Sequence, residues 1–276
     1  MGVLAALCLP LLAGSGNSSG AADLGAISMA PPAPASTEGW IITLKGNVSF
    51  SNAWEGSKDY DFQGYPSFSF RRASEPATWG APDDGFGIPL YENPYFSMGP
   101  VGRYDSGRYR SDDKKLFGIR DVRWTVEPGA YVEFWPIPNT LRAHVELRHG
   151  VDSRDGFIAD AAVDYLVHIG QTTFAFGPRL GLGDQDMMRR DFGVSFTDAV
   201  QNGIVTPYKP SGGLRSAGLA SSVTYEISKT WSTTLYGGYD RLLADAAKSP
   251  LVRKLGSPDQ FEAGLSLSYS FGFSGF

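Results

Sequence analysis

The chain has 276 residues, of which 42% are hydrophobic, 13% aromatic and 19% charged. This apolar content is too high for a disordered chain, and a single cysteine excludes an intrachain disulfide and a cysteine-based zinc site. A net charge of -5 gives no basic surface for nucleic acid, so we expect no such partner.

The chain begins with a short apolar run, residues 3–13, followed by small residues up to Ala22. This pattern predicts an export signal over residues 1–22, although no lysine or arginine precedes the apolar run. Residues 23–39 are rich in alanine and proline and are predicted to be a flexible leader. Cleavage after residue 22 would remove Cys8, which suits an oxidising compartment.

From residue 40 onward, apolar and polar side chains alternate in runs that turn-rich segments separate. In the clearest run, 260–273, Phe261 and Leu265 lie on one face and Ser266 and Ser268 on the other. Successive side chains of a strand point to opposite faces, so this period predicts strands and not helices. The other clear runs are 40–50, 95–105, 121–134, 141–148, 157–168, 173–182, 217–227 and 231–240, and the weaker ones are 64–73, 76–82 and 85–92.

These runs indicate a membrane barrel, although a soluble lipocalin-like barrel or a sandwich would show the same period. The runs are about 10 to 14 residues long, against about 5 to 6 for a globular strand. Aromatic residues cluster at the run ends, and the polar faces are mostly glycine and serine. Residues 40–276 are therefore predicted to form an all-β transmembrane antiparallel up-and-down β-barrel of about 12 strands, with short periplasmic turns and longer extracellular loops. The strand at 76–82 is required mainly by the even-number rule.

Charged residues concentrate on the polar faces of three consecutive predicted strands. They are Arg123, Glu127, Arg142, His144, Glu146, Arg148, Asp160 and Asp164, with Asp121 and Glu133 beside them. We interpret them as ion pairs that close the interior, because unpaired charge away from water is costly. The alternative is a charged constriction that selects solutes. The opposite wall consists of small residues that would leave a narrow water path: Gly218, Ser222, Gly264, Ser266, Ser268 and Ser270.

No motif of a known catalytic, metal or cofactor site occurs in the chain. His149 lies near Ser153 and Asp155, so a hydrolytic Ser–His–acid set is conceivable. We prefer a surface histidine there, since no motif fixes the geometry. His168 is expected at a periplasmic turn. The sequence thus predicts a protein that is not an enzyme and has no catalytic residue, cofactor or metal.

The longest connection, residues 183–213, is expected to fold inward as a plug or to project outward. Residues 196–201 could form one or two helical turns, capped by Thr197 or Ser195. Its aspartates could hold a divalent cation against lipopolysaccharide, but solvated loop charge is the simpler interpretation. They are Asp184, Asp186, Asp191 and Asp198.

Several segments resemble the MipA/OmpV family of outer-membrane proteins. They are Trp54 to Tyr60 (WEGSKDY), Phe192 to Ser195 (FGVS), Gly238 to Val252 (GYDRLLADAAKSPLV) and Gly264 to Tyr269 (GLSLSY). The resemblance covers about residues 40 to 273, and its 238–252 segment is long and specific. The chain departs from the pattern at Asp191, where the family has an aromatic residue, and in the residues after Phe271.

The resemblance implies an integral outer-membrane barrel of a Gram-negative cell, surrounded by outer-membrane lipids and lipopolysaccharide. It also implies a non-enzymatic scaffold whose partners are a lytic murein transglycosylase and a murein synthase. Periplasmic turns such as 136–139 would carry those contacts. The alternative function is a narrow channel for small solutes.

Overall fold

The structure, a computed structural model, describes residues 39–74, 77–151 and 156–273. The predicted export signal, almost all of the leader, Ser153, Asp155 and the last three residues lie outside these ranges.

The described residues form one antiparallel sheet of twelve strands, in the order β2-β1-β12-β11-β10-β9-β8-β7-β6-β5-β3, with β4 paired to β5. The strands are β1 (Trp40–Asn52), β2 (Tyr60–Arg72), β3 (Phe86–Gly87), β4 (Tyr91–Asn93), β5 (Phe96–Asp105), β6 (Thr125–Ile137), β7 (Leu141–His149), β8 (Phe157–Ile169), β9 (Thr172–Gly183), β10 (Gly213–Glu226), β11 (Trp231–Leu242) and β12 (Asp259–Phe273). The predicted all-β antiparallel class is confirmed.

Short helical segments lie only in the connections that the structure describes. They are a 3-10 turn (Lys114–Leu116), α1 (Gln185–Phe192), α2 (Phe196–Asn202), α3 (Ala244–Lys248) and a π-helical turn (Leu251–Leu255). None of the helices in the described ranges has the length and apolarity to cross a membrane.

The two faces of the curled sheet differ as the period-two pattern requires. In β6, Glu127, Tyr131 and Glu133 are buried inside, whereas Val126 and Val132 are exposed outside. The outward face carries large apolar side chains around the sheet. Examples are Leu44, Val48, Val145, Leu219, Leu235 and Leu265. This apolar belt matches the hydrocarbon of a bilayer, because lipid-facing and interior-facing residues alternate in membrane barrels.

Aromatic pairs border this apolar belt at both ends. At one end Phe50 stacks on Tyr60, with ring centroids 4.8 Å apart. At the other end the rings of Trp231 and Tyr269 are also 4.8 Å apart. Further pairs are Tyr104 with Trp124 and Tyr239 with Phe261 at the first end, and Trp40 with Phe70 at the second. Such girdles mark the two membrane interfaces.

Connection length assigns the two ends of the barrel. Turns 138–140, 170–171 and 227–230 are short and lie at the end where β1 begins, so this is the periplasmic end. We call these three turns the periplasmic rim. Four long connections, 53–59, 106–124, 184–212 and 243–258, lie at the opposite, outer end.

The long connections pack together into one structure, which we call the outer cap. It comprises residues 53–59, 106–124, 150–151, 184–212 and 243–258. Two apolar clusters hold it, and each draws on several connections. One contains Trp54, Leu116, Ile119, Val194, Ala199, Val205, Leu251 and Leu255. The other contains Ile158, Met187, Met188, Phe192, Leu242, Ala246 and Val252. The connection 184–212 is therefore part of a cap over the barrel and not a plug through it.

The strand predicted at 76–82 is wrong, because the described part of that stretch, from Ala77, has no strand pairing. Residues 77–85, which we call the inward segment, instead enter the barrel from the periplasmic end of β2. Trp79 packs there against Trp135, Leu166 and Ala175. The chain then returns along β5 as the short strands β3 and β4. These two strands lie in the weak run predicted at 85–92.

Candidate functional site

A buried network of ion pairs fills one side of the barrel interior, and Arg142 is its centre. This side chain is 1% exposed. Its guanidinium lies 2.6 Å from Asp84, 2.6 Å from Glu133 and 3.0 Å from Asp164. The three acids come from the inward segment, β6 and β8. Arg142 thus ties three parts of the chain together, and its charge offsets theirs.

A second group lies nearer the outer end, around Glu146 and Arg148. Arg148 pairs with Glu146, lies 3.2 Å from Glu127 and lies 2.5 Å from Asp160. His144 links the two groups, since its ring nitrogens lie 3.1 Å from Glu146 and 3.3 Å from Glu133.

The inward segment joins the network through both side chain and backbone. Asp83 lies 2.6 Å from Arg179, and the Gly85 amide donates a 2.7 Å hydrogen bond to Glu146. The Arg142 guanidinium also lies over the Trp79 ring, 5.5 Å from its centroid. Cation–π contact and ion pairs together fix this segment inside the barrel.

The structure brings together seven of the eight predicted interior residues, and Arg123 is the exception. β6 begins at Thr125, and Val122 before it pairs with Arg108 outside the barrel wall. Arg123 is consequently exposed to solvent. Its neighbour Asp121 pairs with Arg110 at 3.8 Å, also outside the network.

Several contributors, Arg215 among them, were not singled out from the sequence. Arg103 and Arg179 have the strand parity of the interior face, so the period could have located them. Asp83 and Asp84 lie in an irregular segment, and no period marks them.

A cavity of about 460 Å³ lies beside the network, in the outer half of the barrel. Nine carboxylic acids line it: Glu55, Asp83, Asp84, Asp105, Glu146, Asp160, Asp164, Asp240 and Glu262. Its cationic side chains are Arg103, Arg179 and Arg215, with His144 beside them. The cavity wall therefore has more acidic than basic groups.

The side chain of Glu55, a residue of the outer cap, lines this cavity. Burial raises the pKa of its carboxyl to about 7, against the opposing effect of Arg215. The Arg215 guanidinium lies 3.0 Å from Glu55 and 2.6 Å from Asp160. This arginine connects the cap to the wall.

The oxygen and nitrogen atoms of Asp84, His144 and Glu146 lie within 4.8 Å of one another, close enough in principle to hold a metal ion. Both His144 nitrogens already have partners, since Nε2 lies 3.1 Å from Glu146 and Nδ1 lies 2.9 Å from the Arg142 guanidinium. Asp84 is already paired with Arg142, whose positive charge disfavours a cation there. We assign no metal to this group.

The remaining candidates have structural partners. His149 stacks edge-on against Phe157, with centroids 4.5 Å apart. His168 donates to the Asn139 carbonyl at 2.8 Å, at the predicted periplasmic turn. The four loop aspartates do not form one cluster. Asp184 caps α1, Asp198 closes a capping box with Ser195, and Asp191 pairs with Arg190.

The sequence model of the family described as "MltA-interacting protein MipA" matches residues 46–271. No protein with a curated function matches the chain.

Several solved outer-membrane proteins are similar in structure. An outer-membrane channel from Pseudomonas putida F1 is 10% identical over 87% of this chain and 98% of its own, with a TM-score of 0.44. The CymD monoaromatic hydrocarbon channel is 9% identical over 87% and 90%, with a TM-score of 0.37. The NanC porin is 11% identical over 83% and 98%, with a TM-score of 0.38. These identities and TM-scores are too low to assign the function of those proteins to this chain.

The family match covers every strand from β1 to β12 in whole or in part. With the apolar belt and both aromatic girdles, it supports the predicted location as an integral protein of the outer membrane. The chain belongs to the MltA-interacting protein (MipA) family.

Proposed function

We propose that this protein is a non-enzymatic scaffold that binds murein-remodelling enzymes at its periplasmic rim. The name of its family supports a lytic murein transglycosylase as one partner. A murein synthase is the second partner that we propose, on the resemblance alone.

The observation that carries the proposal is the hydrogen bonding between the turns of the rim and the ends of neighbouring strands. His168, near the end of β8, donates to the Asn139 carbonyl at 2.8 Å and so joins the first turn to β8. The Glu226 amide donates to the Gln171 carbonyl at 2.9 Å, joining the second to β10. The third turn is joined to β12, because the Ser270 amide donates to Thr230 at 2.8 Å. A rim fixed before binding loses little conformational freedom when a partner docks.

A pull-down from outer membranes in mild detergent tests the proposal. The wild-type barrel should recover a lytic murein transglycosylase. A variant that combines Asn139→Gly with Lys229→Glu should recover about tenfold less, because it changes two exposed rim side chains. Glycine accepts the positive φ of 56° at Asn139.

The matched control is Lys209→Glu, the same charge reversal at an exposed residue of the outer cap. It should leave recovery unchanged. If the wild type recovers no murein enzyme, or if the rim and cap variants behave alike, the rim is not a docking surface.

A narrow channel for small solutes is the second candidate, and the cavity is the observation that favours it. Its excess of carboxylates would favour cations. A channel of this kind should give a reversal potential that favours K⁺ over Cl⁻ across a salt gradient, and Glu146→Gln should weaken that preference.

A further inference from the structure

In the part of the chain that the structure describes, the sheet does not close on itself by backbone pairing. Among the described strands, β2 pairs only with β1, and β3 at the other end pairs only with β5. An open strand edge facing hydrocarbon is costly, because lipid cannot satisfy its N–H and C=O groups. This boundary, which we call the seam, therefore needs water or a polar molecule beside it.

The seam is closed where β3 lies beside β2, and it is open nearer the outer end of the barrel. Phe68 of β2 contacts Phe86 of β3, with ring centroids 5.3 Å apart. β3 has only two residues, so the edge of β5 that faces the seam has no strand paired to it beyond Gly102 toward the outer end, among the described residues. On the outward face there, Phe62 of β2 is 78% exposed and Tyr104 of β5 is 64% exposed.

The interior cavity reaches this opening. Gln63 of β2 and both Arg103 and Tyr104 of β5 line the cavity, although the two strands belong to opposite ends of the sheet. Arg103 faces inward and Tyr104 faces the lipid. Two adjacent residues of β5 therefore border the opening, an aromatic side chain on the lipid side and a cationic side chain on the interior side.

The ends of the cavity along the barrel axis are occupied by side chains. Toward the periplasm, Trp79 of the inward segment and Tyr236 form a floor. Tyr236 lies so close to the β12 wall that a Cβ on Gly264 would be 2.3 Å from its ring. Toward the outside, Trp54 and Glu55 of the outer cap form a roof. Between this floor and this roof, Gln63, Arg103 and Tyr104 of the seam strands line the side of the cavity.

We propose that the seam is a lateral entrance through which an amphipathic amine passes from the outer leaflet into the cavity. The aromatic edge suits the alkyl part of such a molecule. The ammonium group suits the wall opposite the network, where Asp240 and Glu262 have no cationic partner within ion-pair distance among the described residues. This site is separate from the periplasmic rim, and the inference does not rest on the scaffold function.

Two glycines allow the entrance to be blocked without disturbing the wall. Gly102 has no atom within 4 Å of an added Cβ, and Gly64 has only the Asn47 carbonyl oxygen, at 3.8 Å. Both face the lipid at the seam. Gly46 offers the same open space on the lipid face of β1, which β2 separates from the seam, and is the matched control.

The test measures binding of a fluorescent dodecylammonium probe to the full chain in lipid nanodiscs, against empty nanodiscs. We expect saturable binding to the wild type. Gly64→Trp and Gly102→Trp should slow association about tenfold, whereas Gly46→Trp should not. Heat-modifiable gel migration checks that each variant is folded.

The head group is tested with the same probe. The double variant Asp240→Asn and Glu262→Gln should weaken binding about tenfold. A dodecanoate probe of equal length should bind the wild type more weakly than the amine. Absence of saturable binding, equal rates in the seam and control variants, or tighter binding of dodecanoate would each overturn the proposal.

Discussion

Arg142 is the residue on which the interior depends most, because it pairs with acids from the inward segment and two strands. Replacing it with methionine keeps much of the volume but leaves those carboxylates buried without their guanidinium. We expect Arg142→Met to lower the free energy of unfolding by about 3 to 5 kcal/mol. Urea titration of the barrel in lipid vesicles measures the change.

Arg123→Met is the control, because Arg123 is exposed and lies outside the network. It should change the free energy of unfolding by less than about 0.5 kcal/mol. Equal urea midpoints for the two variants would show that the interior does not depend on the Arg142 pairs.

Glu55 gives the outer cap a pH dependence whose sign is fixed. Its folded pKa of about 7 lies above the ordinary 4.5, so the folded cap holds a proton that the unfolded chain releases. The contribution to stability is therefore full below about pH 4.5 and is lost as the pH rises to about 7. The melting temperature of wild type, relative to Glu55→Gln, should fall across this range. Parallel melting profiles for the two proteins would contradict the raised pKa.

The sequence located most of the interior residues because strand parity is a local property. Arg142, Glu146 and Asp164 follow directly from the period within β7 and β8. The prediction for Arg123 is wrong because the alternation of apolar and polar residues continues before Thr125, where the strand has not yet begun. Asp83 and Asp84 could not be found, because only the fold brings them to Arg142 and Arg179.

At the scale of elements, α2 shows how a local signal can be read to the correct residue. Ser195 accepts a 3.0 Å hydrogen bond from the Asp198 amide, and Asp198 in turn accepts from the Ser195 amide. This capping box selects Ser195 over Thr197, the other predicted cap. The helix places Ala199 in the apolar core of the outer cap.

Ser195→Ala should destabilise α2 by about 1 kcal/mol and raise the amide exchange rate of Asp198 about fivefold. Hydrogen exchange followed by nuclear magnetic resonance measures this rate. Thr197→Ala removes a similar hydroxyl from an exposed position and should have little effect. Faster amide exchange in Thr197→Ala than in Ser195→Ala would show that Ser195 is not the cap of α2.

The inward segment is the element that the sequence misassigned. The prediction of an even number of strands required a strand at 76–82. The structure has twelve strands because two short ones, β3 and β4, form instead. Trp79 packs on Trp135 and under the Arg142 guanidinium inside the barrel. These are tertiary contacts, which the local alternation of apolar and polar residues does not report.

At the scale of the whole molecule, a mildly polar composition separates into an apolar outer belt and a charged interior. Most of the interior charges form ion pairs with one another or with the inward segment. The outer cap covers the barrel. The barrel is thus blocked along its axis by the floor and the roof of the cavity, and it has an ordered periplasmic rim. This architecture suits a scaffold better than an open pore.

Single-channel recording in planar bilayers tests whether the barrel interior is closed to ions. We predict that the wild-type protein gives no steady openings under conditions in which a general porin, reconstituted in parallel, conducts. Steady openings of the wild type, with a current that changes on Arg142→Gln or Glu146→Gln, would contradict the closed interior and favour the channel.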